Sequence, residues 1–279
     1  MNTLKLHLAA YLLAAICLTP TVVFADTYTI TDYSLDPDSY WGALVIGRTG
    51  TEYPYPTSPS LYDTIGDSYK VDTLTVTRGS NSFSAALSGP YFTSGGPEFV
   101  GDLFLSNNGW NPYVNPSYPG DTHYTSDSAL NGETWEYVLH IMDGNVFPNS
   151  SATSGTIGLY RVDTNTGRIL LSNETLLEPA AGYRANQDVL YAPGTGENAL
   201  VLGTWALNSA TDTFTFSLDN VDLAAYGLNG DIGLHWTMSC ANDVIEGKMP
   251  APQVPEPATM VLFGAGLSGL AAYSRRAKK

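Results

Sequence analysis

Apolar and polar residues alternate with a period of two through most of the middle of the chain. Tyr28 and Ile30 are set between Thr27, Thr29 and Thr31, Leu74 and Val76 between Thr73, Thr75 and Thr77, and Phe214, Phe216 and Leu218 among Thr213, Thr215 and Ser217. Successive side chains of a strand point to opposite faces, so each stretch predicts a strand with one buried face. In Trp135-Glu-Tyr-Val-Leu-His-Ile-Met142 the residues Trp135, Tyr137, Leu139 and Ile141 share one side. Val138 and Met142 make the other side partly apolar, which predicts a central strand between two covered faces. Residues 199–207 have the same character.

Short turn-rich segments separate these stretches. Asp163-Thr-Asn-Thr-Gly167 predicts an antiparallel hairpin between 156–162 and 168–171, and Asn208-Ser-Ala-Thr-Asp212 a second between 199–207 and 213–218. The only helical signal, 221–226, is barely two turns long, capped by Asn220 and ended by Gly227. Residues 232–247 read as one last core strand leaving for the C-terminal tail. The expectation is an all-β domain, a single antiparallel β-sandwich of jelly-roll or lectin-like topology. Two irregular stretches, 51–62 and 106–127, are rich in proline, asparagine and aromatics and belong at its ends or edges.

Both ends of the chain carry a different pattern. Lys5 precedes an apolar run, 8–18, and Val23-Phe24-Ala25 offers small residues where a signal peptidase reads, so 1–25 is expected to be a signal peptide cut after Ala25. At the other end, Pro255-Glu256-Pro257 is held extended by its two prolines. An uncharged run, 258–273, follows; as a helix it would span roughly 24 Å, short of the ~30 Å of a hydrocarbon core. Arg275, Arg276, Lys278 and Lys279 then hold that end on the cytoplasmic side. The domain is therefore expected over 26–250, with 251–279 as tail and a short transmembrane helix within it.

Pro255-Glu256-Pro257, an apolar run and a basic terminus in this order resemble the PEP-CTERM sorting signal of exported proteins in Gram-negative, exopolysaccharide-producing bacteria. The resemblance covers about the last tenth of the chain. It implies an exosortase, a membrane-embedded cysteine protease or transpeptidase, that recognises the motif and removes the tail. Segment 232–247 is also similar to one found just before this signal in a group of exosortase-dependent surface proteins. The implied destination is the cell surface or the exopolysaccharide matrix, after a transient stay in the inner membrane.

Composition sharpens the picture in two ways. Between Asp26 and Glu256 the chain holds all 27 acidic residues and seven basic ones, a formal charge of −20. A body so acidic repels nucleic acid and anionic lipid, which excludes a nucleic-acid partner. Cys17 falls in the leader, so Cys240 stands alone, without an intrachain disulfide, and reads as a small buried hydrophobe near Trp236 and Met238.

Candidate chemistry is sparse. There is no Gly-x-Ser-x-Gly elbow, and His123, His140 and His235 lie far apart. Glu133 and Glu136, three apart on an expected strand, would point to opposite faces, wrong for a glycosidase pair. Asp163, Asn165 and Glu174 imitate part of a calcium loop, but Arg168 stands where the sharp turn needs glycine. No metal or cofactor is called for, and the expectation is a non-enzymatic protein. The best candidate for ligand contact is the loop bearing Asn108, Trp110, Tyr113, Asp121 and Tyr124, whose aromatic faces, amides and carboxylates suit a sugar. An exopolysaccharide is the ligand this would imply; a glycan-binding module is the alternative to a plain surface protein, and a glycoside hydrolase a more distant one.

Overall fold

The computed structural model describes residues 25–31, 69–94, 98–113, 127–172, 186–241 and 243–252, together with residues 116 and 266 and the strand backbones at 39–40, 45–46 and 52–53. Residues 1–24 and nearly all of 253–279, where a leader and a tail are expected, lie outside them. Among the described residues no helix is long and apolar enough to cross a membrane.

In chain order the strands are β1 (Asp26–Thr31), β2 (Ser39–Tyr40), β3 (Val45–Ile46), β4 (Glu52–Tyr53), β5 (Thr73–Arg78), β6 (Ser82–Ser88), β7 (Val100–Ser106), β8 (Tyr137–Ile141), β9 (Ser154–Arg161), β10 (Arg168–Leu171), β11 (Asp188–Ala192), β12 (Val201–Asn208), β13 (Thr213–Asp219), β14 (Ile232–Met238) and β15 (Val244–Met249). One antiparallel sheet runs β1-β5-β6-β13-β12-β9-β8-β7-β14-β15-β2, with small pairs β10-β11 and β3-β4 beside it. The sheet curls until β15 comes into contact with β1 and β5, nearly closing a barrel. The all-β antiparallel expectation is met, but the strands share one uninterrupted ladder rather than the two separate sheets of the expected sandwich.

Alternation explains the interior. Leu74 and Val76, Phe83, Ala85 and Leu87, and Phe214, Phe216 and Leu218 point inward and meet Leu103, Leu105, Leu234, Trp236 and Met238 from the opposite wall in one cluster. A helical turn, α1 (Tyr91–Ser94), pushes Phe92 between the walls. Its ring stacks on Phe214 with centroids 6.0 Å apart and lies 5.9 Å from that of Trp236. Full burial of such a side chain stabilises by about 1.5–3 kcal/mol. Cys240 is buried in the same cluster, as its neighbours in sequence suggest.

β7, β8 and β14 are covered on both faces. The β10-β11 pair packs on their outer side, and Phe104, Trp135, Val138, Tyr160 and Tyr191 form a second cluster there. This corrects three local readings. Trp135 lies before β8, not on it, and joins Val138 outside instead of Tyr137, Leu139 and Ile141 inside. The 163–167 turn does not join a hairpin: β9 pairs with β8 and β12, whereas β10 leaves the main sheet to pair with β11. Segment 232–247 is not one strand but most of the antiparallel pair β14-β15. The 208–212 hairpin forms as expected. The short helix is a 3-10 turn, Leu223–Tyr226, capped by Asp222 instead of Asn220 and ended by Gly227 in the left-handed conformation.

Side chains close the seam where no ladder does. At one end of β5, the Val71 amide donates to Asp243 Oδ2 at 2.6 Å, in the β14-β15 turn. At the other end the Arg78 guanidinium, 4% exposed, donates to the carbonyls of Gly230 at 2.6 Å and Pro250 at 2.7 Å and lies 3.6 Å from the Asp26 carboxylate. One buried cation thus joins the first residue of β1 to the exit of the chain after β15. Arg78→Met should strand these carbonyls and lower stability by about 2–4 kcal/mol. Urea denaturation checks this, and β1 amides should lose hydrogen-exchange protection first.

Candidate functional site

The strongest concentration of polar chemistry lies on the outer side of β14 and β15. His235 and Glu246 are direct cross-strand partners in that hairpin, so their side chains share a face. That face turns away from the main core and under the β11 cover. His235 Nδ1 lies 2.7 Å from Glu246 Oε2, and its Nε2 lies 2.8 Å from the Asp188 carbonyl. Both ring nitrogens therefore face acceptors, an arrangement that suits the doubly protonated imidazolium. Burial opposes that charge, but the Glu246 hydrogen bond and the charges of Glu246 and Asp188 outweigh it, so the His235 pKa lies above its ordinary value. The ring also packs against Trp135, whose indole N–H donates to Asp188 Oδ2 at 3.0 Å.

Around this core, Asp127, Glu133, Asp188 and Glu246 line a cavity with room for about one water molecule. Burial and the Glu246 charge push the Asp127 carboxyl up to about 8, against the Tyr113 amide hydrogen bond and His235. Burial pushes Asp188 up to about 6, against His235 and the Trp135 indole. Among the described residues no three such groups converge as metal ligands. The cavity is too small for a sugar ring; what it gathers is buried acids around His235.

The loop leaving β7 is fastened to this cluster. Trp110 is half-buried, donates its indole N–H to Glu246 Oε1 at 2.6 Å and packs on Ala241 and Val244. The half-buried Tyr113 donates its backbone amide to Asp127 Oδ1 at 2.7 Å. Asn108 is exposed, and its side-chain amide donates to Glu136 Oε1 at 2.7 Å. Asp121 and Tyr124 lie outside the described residues.

Glu133 and Glu136 both precede β8. They do not diverge as a strand would make them: Glu136 Oε2 accepts from the Asn107 amide at 3.1 Å and Glu133 Oε2 from the Asn111 amide at 2.5 Å. Both clasp the same loop. The Asp163 turn is likewise local, its carboxylate accepting from the Asn165 amide at 2.9 Å, a hydrogen bond that holds its pKa below the usual range.

A second buried acid, Asp102, anchors the cover. Fully enclosed, it accepts from the Ile141 amide at 2.9 Å and the Tyr191 amide at 2.8 Å, and lies 2.8 Å from His140 Nδ1. It thereby ties β7 to β8 and β11. The sequence argument missed His235, Glu246, Asp127, Asp188 and Asp102. The available signal was a charged residue at a strand position flanked by apolar ones, Leu234-His-Trp236 and Ile245-Glu-Gly247, once the hairpin was recognised.

Ala25 is exposed immediately before β1. Pro255, Glu256, Pro257, Arg275 and Arg276 lie outside the described residues, where the tail begins. Residues 253–276 match the PEP-CTERM protein-sorting motif. Comparisons with curated proteins and with solved structures give no match. The molecule is thus an antiparallel β-protein that carries a C-terminal sorting motif. That motif implies export and processing by an exosortase.

The buried acids make stability depend on pH in one direction. Asp127 and Asp188 have folded pKa values raised above their ordinary 3.8, and His235 is raised above 6.5. Each favours its protonated form on folding, so its stabilisation is full below the unfolded pKa and lost as pH rises through the folded one. The melting temperature should fall by at least about 5 °C between pH 5 and pH 9. Asp127→Asn, which stays neutral and keeps an acceptor for Tyr113, should flatten that slope in a thermal-melt series.

Proposed function

We propose that this protein is a non-enzymatic cell-surface or exopolysaccharide-matrix component of a Gram-negative bacterium. It is exported with a leader removed after Ala25 and freed from the inner membrane by an exosortase. The observation that carries this is the position of the sorting motif. The Ala251 amide is still held, donating to Asp231 Oδ1 at 2.6 Å, and the motif starts at residue 253.

Arg78 supports the same reading from the other end of the chain. By gripping Asp26 and Pro250 it brings both processed ends to one pole of the domain. A domain tethered first by its leader and then by its tail can therefore present the same pole to the membrane throughout. The inward-turned indole of Trp110 favours a fastening role for its loop.

Pro255→Ala with Glu256→Ala should leave removal of the leader intact but retain a tail-bearing form in the inner membrane, heavier by roughly twenty-odd residues than the released protein. Mass spectrometry of membrane and extracellular fractions, with and without the exosortase, reads this directly. Release of the double variant like wild type would show that the motif is not the recognition element.

A further inference from the structure

The seam held by Arg78 contains one chemically labile point. Three asparagines of the chain, Asn108, Asn131 and Asn229, are followed by glycine. A glycine has no Cβ to shield its amide nitrogen, so that nitrogen can reach the side-chain carbonyl of the asparagine before it. All three asparagines are exposed, so exposure does not separate them. Their hydrogen bonds do. Asn108 has its side-chain amide on Glu136 Oε1 at 2.7 Å, and Gly109 is fixed in a bridge with Ile232. Asn131 Oδ1 accepts from the Ser128 hydroxyl at 3.0 Å, and the Gly132 amide donates to the Ser128 carbonyl at 2.8 Å. The Asn229 side chain and the Gly230 amide have no hydrogen-bond partner among the described residues. This third pair lies in the bend between the 3-10 turn and β14, with Asn229 on a solvent-open cleft that Asp26, Arg78 and Asp222 also line. Neither the attacking nitrogen nor the carbonyl it attacks has a contact to break first.

We propose that Asn229-Gly230 is a site of spontaneous deamidation whose isoaspartyl product loosens the Arg78 seam. The Gly230 amide nitrogen gives its proton to solvent base and bonds to the Asn229 side-chain carbonyl carbon. The bond from that carbon to the side-chain nitrogen breaks, and ammonia leaves with a proton taken back from water. Water then opens the cyclic imide at one of its two carbonyls, giving aspartate or isoaspartate. The net change is one water consumed and one ammonia released, with no oxidant or reductant.

The effect on the seam follows from what Arg78 grips. Its Nη1 lies 3.5 Å from the Leu228 carbonyl and 2.6 Å from that of Gly230, so one nitrogen spans the backbone on both sides of Asn229. Isoaspartate routes the main chain through the side-chain carbon and inserts one more backbone atom between those carbonyls, a displacement of about 1.5 Å. The shorter contact, lengthened by that much, is no longer a hydrogen bond. The insertion also displaces Asp231, which holds the Ala251 amide at 2.6 Å. Aspartate, by contrast, leaves the backbone path intact and adds only a carboxylate near an arginine. The two products therefore act differently on the same seam.

The test does not pass through sorting. Protein purified from its producing cells is aged in mildly alkaline buffer, and peptide mapping that separates aspartate from isoaspartate is set beside the melting temperature. Isoaspartate at 229 should accumulate at least about tenfold faster than at 108 or 131 in the folded protein, and at comparable rates at all three in urea. The isoaspartyl fraction should melt at least about 3 °C lower. Gly230→Ala, whose Cβ would meet nothing within 4 Å on a backbone outside the left-handed region, should suppress the reaction and keep its melting temperature through the same ageing. Should that variant disturb folding, Asn229→Gln, with a longer side chain poorly placed for ring closure, serves the same comparison. Asn229→Asp should melt like the unaged protein. Reaction at 108 or 131 as fast as at 229 in the folded protein overturns the proposal, as does isoaspartate at 229 with an unchanged melting temperature. A loss in Asn229→Asp as large as that of the aged protein also overturns it, because charge and not insertion would then be acting.

Discussion

A curled sheet with two unpaired edges stays curled only if something other than a ladder holds the edges together. Here β5 supplies that at both of its ends, through the Val71 amide on Asp243 and the Arg78 guanidinium on the carbonyls of Gly230 and Pro250. The two contacts span the whole length of the strand, so they fix the angle between the walls as well as their distance. Phe92 can then stack on Phe214 from one wall and approach Trp236 from the other because both walls are already placed. Arg78 is only 4% exposed, and carbonyl dipoles together with Asp26 stand around its charge in place of water. The seam therefore exists only in the folded arrangement.

Outside the barrel-like core the same logic is repeated with acids. Strands β7, β8 and β14 could not be left with polar outer positions uncovered beneath β10 and β11, so each polar group there has a defined partner. Asp102 satisfies two backbone amides and His140, and Glu246 joins His235 to Trp110. These bonds decide where the cover and the 107–113 loop lie. The aromatic loop that looked like a sugar platform is drawn inward by its own indole.

What the sequence made legible follows from the range of the interactions involved. Alternation is local, so Leu74, Val76, Phe214, Phe216 and Leu218 were placed on the inner face without any knowledge of topology. The 208–212 hairpin was legible for the same reason. Pairing choices were not. The 163–167 turn has hairpin chemistry, with Asp163 folding back on Asn165, yet β10 finds β11 because Ile169 and Tyr191 belong to a second cluster that exists only once β8 and β9 are in place. Glu133 and Glu136 misled because a strand was assumed where the chain clasps a loop. The buried acids were invisible because each becomes readable only through a partner 11 to 136 residues away, as for His235 with Glu246 and Trp110 with Glu246. The sorting motif, by contrast, lies within one contiguous stretch, residues 253–276, and so was legible without any tertiary contact.

The seam and the motif meet at the end of the chain. Pro250 is gripped by Arg78 and Ala251 by Asp231, and the Pro-Glu-Pro segment begins at Pro255. Four residues span at most about 14 Å when fully extended. An enzyme that takes the motif into a membrane-embedded site must therefore work with the folded body close against it, because freeing more chain means breaking the Arg78 contacts and opening the sheet. On the proposed sorting reading, the domain would act as a stop that sets how far the tail can be drawn in. Local opening at the seam would lengthen the available tether one residue at a time, at a cost set by buried hydrogen bonds. If the tail is cut as proposed, the geometry of cutting would be governed by the stability of a single arginine's surroundings as well as by the motif itself.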